Sequence, residues 1–147
     1  MFKHLLVPTD GSELSRVAVD KAVKFASEIN ARITFYYAQP DFPMPIYGEG
    51  ALIDPTTPDQ FAQSASEEAK LILERARQQA DSANVQADVD TDVHEAPYEG
   101  IIAATERHGC DLIFMASHGR RGIVGLLLGT EAQKVLSHST IPVLIHR

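Results

Sequence analysis

The 147-residue sequence predicts a doubly wound α/β fold, an open five-stranded and mainly parallel sheet with helices on both faces. Three observations carry this. Short apolar runs alternate with longer stretches of helical period from end to end. Leu112 to Ala116 is continuously apolar, as a strand covered on both faces requires. Residues suited to ligand binding gather after the first and fourth strands, where an open parallel sheet places its sites.

The elements follow in order. His4 to Val7 is a compact apolar run, ended by the turn cluster Pro8-Thr9-Asp10-Gly11-Ser12, with Ser12 placed to cap a helix. Leu14, Val17, Ala18, Ala22, Phe25 and Ile29 recur at three- and four-residue steps and mark one buried helical face. Arg32 to Ala38 is β-branched and aromatic, so it reads as the second strand. Residues 39–58 then hold five of the eight prolines, which excludes a regular helix or central strand. This proline-rich excursion reads as a lid, a partner surface or a mobile loop.

A second helix runs from Pro58 to Asp81, with Phe61, Ala65, Ala69, Ile72, Leu73 and Ala76 on one side. Val85 to Val93 alternates apolar and polar residues, as a half-exposed strand does. Pro97 suits a first helical turn, and Gly109 suits its stop. After the strand Leu112 to Ala116, a glycine-rich loop leads to a last helix from Thr130, and Pro142 to Ile145 closes as the fifth strand.

Composition bounds the function. A chain of this length with 44% hydrophobic and 22% charged residues predicts one domain over 1–147 that folds without staples. Thirteen Lys and Arg against twenty Asp and Glu give a net charge of −7, which disfavours nucleic-acid backbones and anionic membrane surfaces. The lone Cys110 excludes a disulfide framework and a cysteine-rich zinc site. No apolar run nears the roughly 20 residues that span a bilayer, and Pro8 and Asp10 come too early for a signal peptide. The expected location is the cytoplasm.

The loop after strand 1 holds Thr9, Asp10, Gly11 and Ser12; that after strand 4 holds Ser117, His118, Gly119, Arg120, Arg121 and Gly122. The loop after strand 3 offers only His94, Glu95 and Ala96. If the site lies where strand order reverses, strands 1 and 4 are neighbours and the order is 3-2-1-4-5, in preference to 2-1-3-4-5. Gly119, Gly122, Gly125 and Gly129 are four of nine glycines within eleven residues, and glycine lets backbone N–H groups approach phosphate oxygens. Thr130 and Gln133 have the spacing of a capping box, and a helix start is an anion site. Arg120 and Arg121 add cationic donors. The bland alternative is a long connection whose glycines only make turns. A P-loop and a dinucleotide fingerprint are both absent from the sequence.

Ala116-Ser117-His118-Gly119, nine residues, then Gly129-Thr130 resembles the universal stress protein signature Gly-x-x-Gly-x9-Gly-Ser/Thr. Leu6-Val7-Pro8-Thr9-Asp10-Gly11-Ser12 and Ile141-Pro142-Val143-Leu144-Ile145 resemble that family's opening and closing strands. The resemblance implies a Rossmann-like sheet of order 3-2-1-4-5 and binding of ATP or AMP, with or without Mg2+. It places the ribose near Asp10, beside Pro8 and Thr9, and adenine against the backbone of Ala38. It places the phosphates along Ala116, Ser117, His118, Gly119, Arg120, Arg121 and Gly122 and at Gly129, Thr130 and Glu131. Asp10 is the residue through which a Mg-nucleotide would be met. Ala116 departs from the signature glycine, a change that matters only if the position needs positive φ or very close packing. The resemblance also implies a homodimer through the last strand and action in stress response through a protein partner whose identity the sequence does not give.

Other residues read structurally. His118 lacks a matching nucleophile and is assigned a positional or phosphate-adjacent role. His108-Gly109-Cys110-Asp111 leads into a buried strand and is not a metal cluster. Tyr36 and Tyr37 point to opposite faces of their strand, at least one into the core. Ile123, Val124 and Leu126 to Leu128 pack under the loop or form a subunit contact. No catalytic residue is assigned. The alternatives are a slow metal-dependent ATP or phosphate-ester hydrolase using Asp10, and an interaction module without nucleotide that uses residues 39–58.

Overall fold

The computed structural model describes residues 1–42, 57–118 and 128–147. Strands and helices alternate as β1 (His4–Pro8), α1 (Glu13–Ile29), β2 (Arg32–Gln39), α2 (Pro58–Ser82), β3 (Ala87–Val93), α3 (Pro97–His108), β4 (Leu112–Ala116), α4 (Thr130–His138) and β5 (Val143–His146). Every strand pairing is parallel, and the order is β3-β2-β1-β4-β5, as the loop chemistry predicts.

Side-chain alternation along the inner strands divides the core. Leu5, Val7, Ile33, Phe35, Tyr37, Leu112 and Phe114 pack with α1 and α2 on one face. Leu6, Tyr36, Ile113 and Met115 pack with α3 and α4 on the other. Tyr36 and Tyr37 are both buried, one on each side, because β2 is an inner strand with helices over both faces.

The helix ends follow local chemistry. Ser12 caps α1, its Oγ accepting from the Ser15 N–H at 3.2 Å. Thr57 and Gln60 form a capping box at α2, with Pro58 in its first turn. α3 stops at Gly109, whose φ of +63° is a left-handed C-cap.

Two sequence expectations need correction. The buried face of α1 is Ser15, Ala18, Val19, Ala22, Val23 and Ala26, whereas Leu14 and Val17 are 46% and 42% exposed. The helix sits on its smallest side chains, which allow close approach to the sheet, and the larger residues flank that contact. Phe25 and Ile29 pack only partly against the core. At α4 the cap is Gly129 and not Thr130, so the Thr130–Gln133 box does not form. Gln133 Nε2 instead donates to the Leu128 carbonyl at 2.9 Å.

Strand bounds differ at the ends. β3 begins at Ala87, with Val85 buried just before it, and β5 runs to His146. Of the proline-rich excursion, residues 43–56 lie outside the described residues, as do the loop residues 119–127 with Ile123, Val124, Leu126 and Leu127. Among the described residues, no helix is long and apolar enough to cross a membrane.

Candidate functional site

β1 and β4 are neighbours, yet the helices that follow them, α1 and α4, lie on opposite faces of the sheet. A crevice therefore opens beyond their C-terminal ends. It is a cavity of about 470 Å³ whose wall combines the ends of β1, β2 and β4 with the starts of α3 and α4.

Pro8, Thr9 and Asp10 form one part of that wall. The Thr9 N–H donates to the Tyr36 carbonyl at 2.9 Å, which ties the loop to β2. The Thr9 hydroxyl lies 2.7 Å from the Ser15 hydroxyl, and Asp10 Oδ1 accepts from the Ser12 N–H at 2.9 Å. Gly11 makes the turn at φ +76°, a conformation an L side chain would resist. Tyr37 and Ala38 add the end of β2.

Ala116, Ser117 and His118 line the cavity from β4. Ala116 is absent from the described residues of positive φ, so the dihedral objection to replacing a glycine there falls away. The Ser117 N–H donates to the His146 carbonyl at 2.9 Å, anchoring the loop to β5. Ser117 Oγ lies 3.0 Å from His118 Nδ1, and His118 Nε2 is buried with no hydrogen-bond partner among the described residues.

Gly129, Thr130 and Glu131 complete this side. Gly129 has an ordinary φ of −68°, so its reason for being glycine is space. A Cβ there would lie 2.6 Å from the Ser117 carbonyl oxygen, the same atom that accepts from the Gly129 N–H at 2.7 Å. The two backbones touch, and the donors left at the helix start are the N–H groups of Thr130, Glu131 and Ala132, which have no acceptor within α4. Glu131 Oε2 accepts from the Tyr98 N–H at 2.9 Å. It thereby caps α3, whose own N-cap Ala96 has no side chain to do so.

The structure thus places Pro8, Thr9, Asp10, Ala38, Ala116, Ser117, His118, Gly129, Thr130 and Glu131 around one cavity. Gly119, Arg120, Arg121 and Gly122 lie outside the described residues. Sequence reasoning missed the wall made by Ser15, His94, Glu95, Pro97 and Ile101. His94 and Glu95 stood in plain view after β3, but no motif marks them. Their place depends on β2–β3 register, which sets Ala38 opposite Asp92.

Behind that wall is a polar cluster. The buried Tyr36 hydroxyl donates to Asp92; burial first, then this carboxylate, pushes its pKa up. Arg107 and His108 both hold Asp90. Burial works against the charged form of Asp90, but these two hydrogen bonds prevail and keep its carboxyl below the usual range. Cys110 is pushed up to about 12 by burial and then by Asp111, which leaves it an inert core thiol. Among the described residues, no group of three or more His, Cys, Asp or Glu is placed to hold a metal.

A second cavity of about 490 Å³ lies between α1 and α2, lined in part by Arg16, Glu68, Leu71 and Arg75. It runs along helix sides from the β1–α1 loop, where Thr9 and Gly11 also line it. The cavity at the strand ends has the stronger claim, because main-chain donors and several loops converge there.

The universal stress protein family model matches residues 1–147. Universal stress protein YxiE of Bacillus subtilis is 32% identical over 158 residues, covering 100% of both chains. The solved structure of MJ0577 has a TM-score of 0.81 to this chain at 24% identity, covering 99% of this chain and 95% of that one. MJ0577 is a universal stress protein of Methanocaldococcus jannaschii. A universal stress protein solved in complex with cAMP has a TM-score of 0.71 at 26% identity, covering 99% and 97%.

Proposed function

The chain belongs to the universal stress protein family, and on that premise we propose that it binds an adenine nucleotide, ATP or AMP, in the cavity between β1 and β4. The observation that carries the reading is the close backbone contact of Gly129 with Ser117. It brings the α4 N–H groups that have no acceptor within the helix to the cavity wall, where the helix dipole also favours an anion. The phosphates lie there and along Ser117 to Gly122, the ribose near Asp10, and adenine against the Ala38 backbone. The related protein solved with cAMP supports an adenine ligand. A Mg2+ ion arriving with the phosphates would be met by Asp10.

The protein acts in stress response as a nucleotide-dependent regulator of a partner, in the cytoplasm. No general base or oriented nucleophile stands out in the described wall, so hydrolysis ranks second. The proposal includes a homodimer through β5, an edge strand whose Val143, Leu144 and Ile145 are only half-buried. A mass that stays monomeric over a concentration series contradicts the dimer.

The test is calorimetric titration of nucleotide-free protein with ATP, AMP and GTP. Saturable binding of the adenine nucleotides, weakened in Thr130→Val and Asp10→Asn while both remain folded, is the expected result. A folded protein that gives no heat and no thermal shift with any nucleotide overturns the reading.

A further inference from the structure

The cavity wall facing away from α4 is ionisable. The His94 N–H donates to the Gln39 carbonyl at 3.1 Å, which holds His94 beside the end of β2, where Ala38 and Pro40 also line the cavity. Its ring is confined on two sides. A Cβ on Gly100 would lie 2.9 Å from His94 Cδ2, so α3 packs against the imidazole. His94 Nε2 is 3.4 Å from Asp92 Oδ1.

Asp92 is itself held in place. It accepts from the buried Tyr36 hydroxyl, and its Oδ2 lies 3.6 Å from Arg107 Nη2. Arg107 and His108 anchor to Asp90 two residues earlier on β3. The carboxylate that faces His94 is therefore held from two sides, by Tyr36 and by Arg107.

The charge on the rest of the wall gives this pair its meaning. Among the described residues, the cavity is lined by the carboxylates of Asp10, Glu95 and Glu131, with His94 and His118 as the groups able to become cations. Lys134 reaches Glu131 at 3.5 Å from outside that wall. His118 stands across the cavity on the β4 side, its Nδ1 3.0 Å from Ser117 Oγ.

We infer that His94, clamped between Gly100 and Asp92 beside the end of β2, is a proton-dependent cation of this cavity, so that an anionic nucleotide binds more tightly as the pH falls. The inference rests on the nucleotide reading of the cavity. An imidazole changes charge between about pH 5 and 8. Binding of a phosphate anion favours the charged ring, and by linkage the bound protein takes a proton from the buffer. His94 acts as a positioning and tuning residue through electrostatics, with no covalent step.

The experiment is titration of the full chain with AMP at pH 6 and pH 8, for the native protein and for His94→Gln. Protonation of AMP itself affects both proteins alike and cancels in their ratio. The expected result is affinities within about twofold of each other at pH 8 and a roughly three- to tenfold advantage for the native protein at pH 6. A ratio equal at the two pH values overturns the inference, because a purely packing role lowers affinity alike at both. Failure of the native protein to bind AMP at either pH overturns the nucleotide reading and the inference with it. Should His94→Gln fail to fold, the assigned His94 ring resonance is followed by NMR in the native protein. Its titration midpoint rises when AMP is added; a midpoint unmoved by AMP overturns the inference.

Discussion

Gly129 lines the cavity at the cap of α4, and Gly100 lies behind its opposite wall, near the start of α3. Neither has a positive φ, so both are glycine for want of space. Their obstacles differ. At Gly129 a Cβ meets a backbone carbonyl, Ser117 O, at 2.6 Å. At Gly100 it meets the Tyr36 hydroxyl at 2.0 Å, the tip of a rigid and fully buried ring. The first glycine shapes the mouth of the site; the second lets α3 close over the sheet. A glycine in a ligand-binding fold is thus explained by what its missing side chain would strike, and the two strikes have separable consequences.

The largest effect expected is from Gly100→Ala. Helix propensity alone would reward this change by about 1 kcal/mol. Overpacking against Tyr36 costs roughly 1–3 kcal/mol, and the upper end applies to so close an approach. Thermal unfolding should show a Tm lower by several degrees, part of it recovered in the double variant with Tyr36→Phe. An unchanged or raised Tm breaks the comparison.

Gly129→Ala comes next. The methyl forces the start of α4 away from Ser117, so AMP affinity should fall by about tenfold or more, with stability changed by roughly 1–2 kcal/mol. Calorimetry and thermal unfolding on the same preparation separate the two quantities. A large loss of stability with intact binding would reverse the assigned roles.

The smallest effect concerns the far end of β1. His4 is 6% exposed, its Nε2 lies 2.7 Å from the Thr34 hydroxyl and its Nδ1 has no partner among the described residues. Burial first, and then Arg32 and His108, lower its pKa. The unfolded imidazole takes a proton below about pH 6.5, whereas the folded one resists it. Its contribution is therefore fully present above about pH 6.5 and is lost as pH falls toward the lowered folded value. Urea unfolding at pH 5.5 and 7.5 should show the native chain losing more stability on acidification than His4→Gln. Equal losses contradict this account of His4.

The two walls also differ in how far they can be read from the chain. The β4–α4 wall is nearly contiguous, and its glycines, serine and helix start announce an anion site within a few residues of one another. The order 3-2-1-4-5 is likewise legible, because the loops after β1 and β4 carry the polar chemistry. The other wall, lined by His94, is backed by Tyr36, Asp92, Gly100 and Arg107 from three elements. Nothing local connects them; parallel register, with Tyr36 opposite Asp90 and Ala38 opposite Asp92, brings them together. The face of α1 is misread for a related reason. Apolar spacing finds Ala18 and Ala22 but adds Leu14 and Val17, whereas contact with the sheet sets Ser15, Val19, Val23 and Ala26 beside those two alanines. Spacing identifies hydrophobic residues, while close packing against a sheet prefers small ones.

The central claim is that the cavity beyond β1 and β4 is the nucleotide site, and a competing groove of about 490 Å³ lies between α1 and α2. Amide chemical-shift mapping of the full chain with AMP decides between them. The account predicts saturable shifts concentrated at Asp10, Ala38, Ser117, Thr130 and Glu131, which line the strand-end cavity and not the groove. Shifts confined to Arg16, Leu71 and Arg75, or none at saturating AMP, would contradict it.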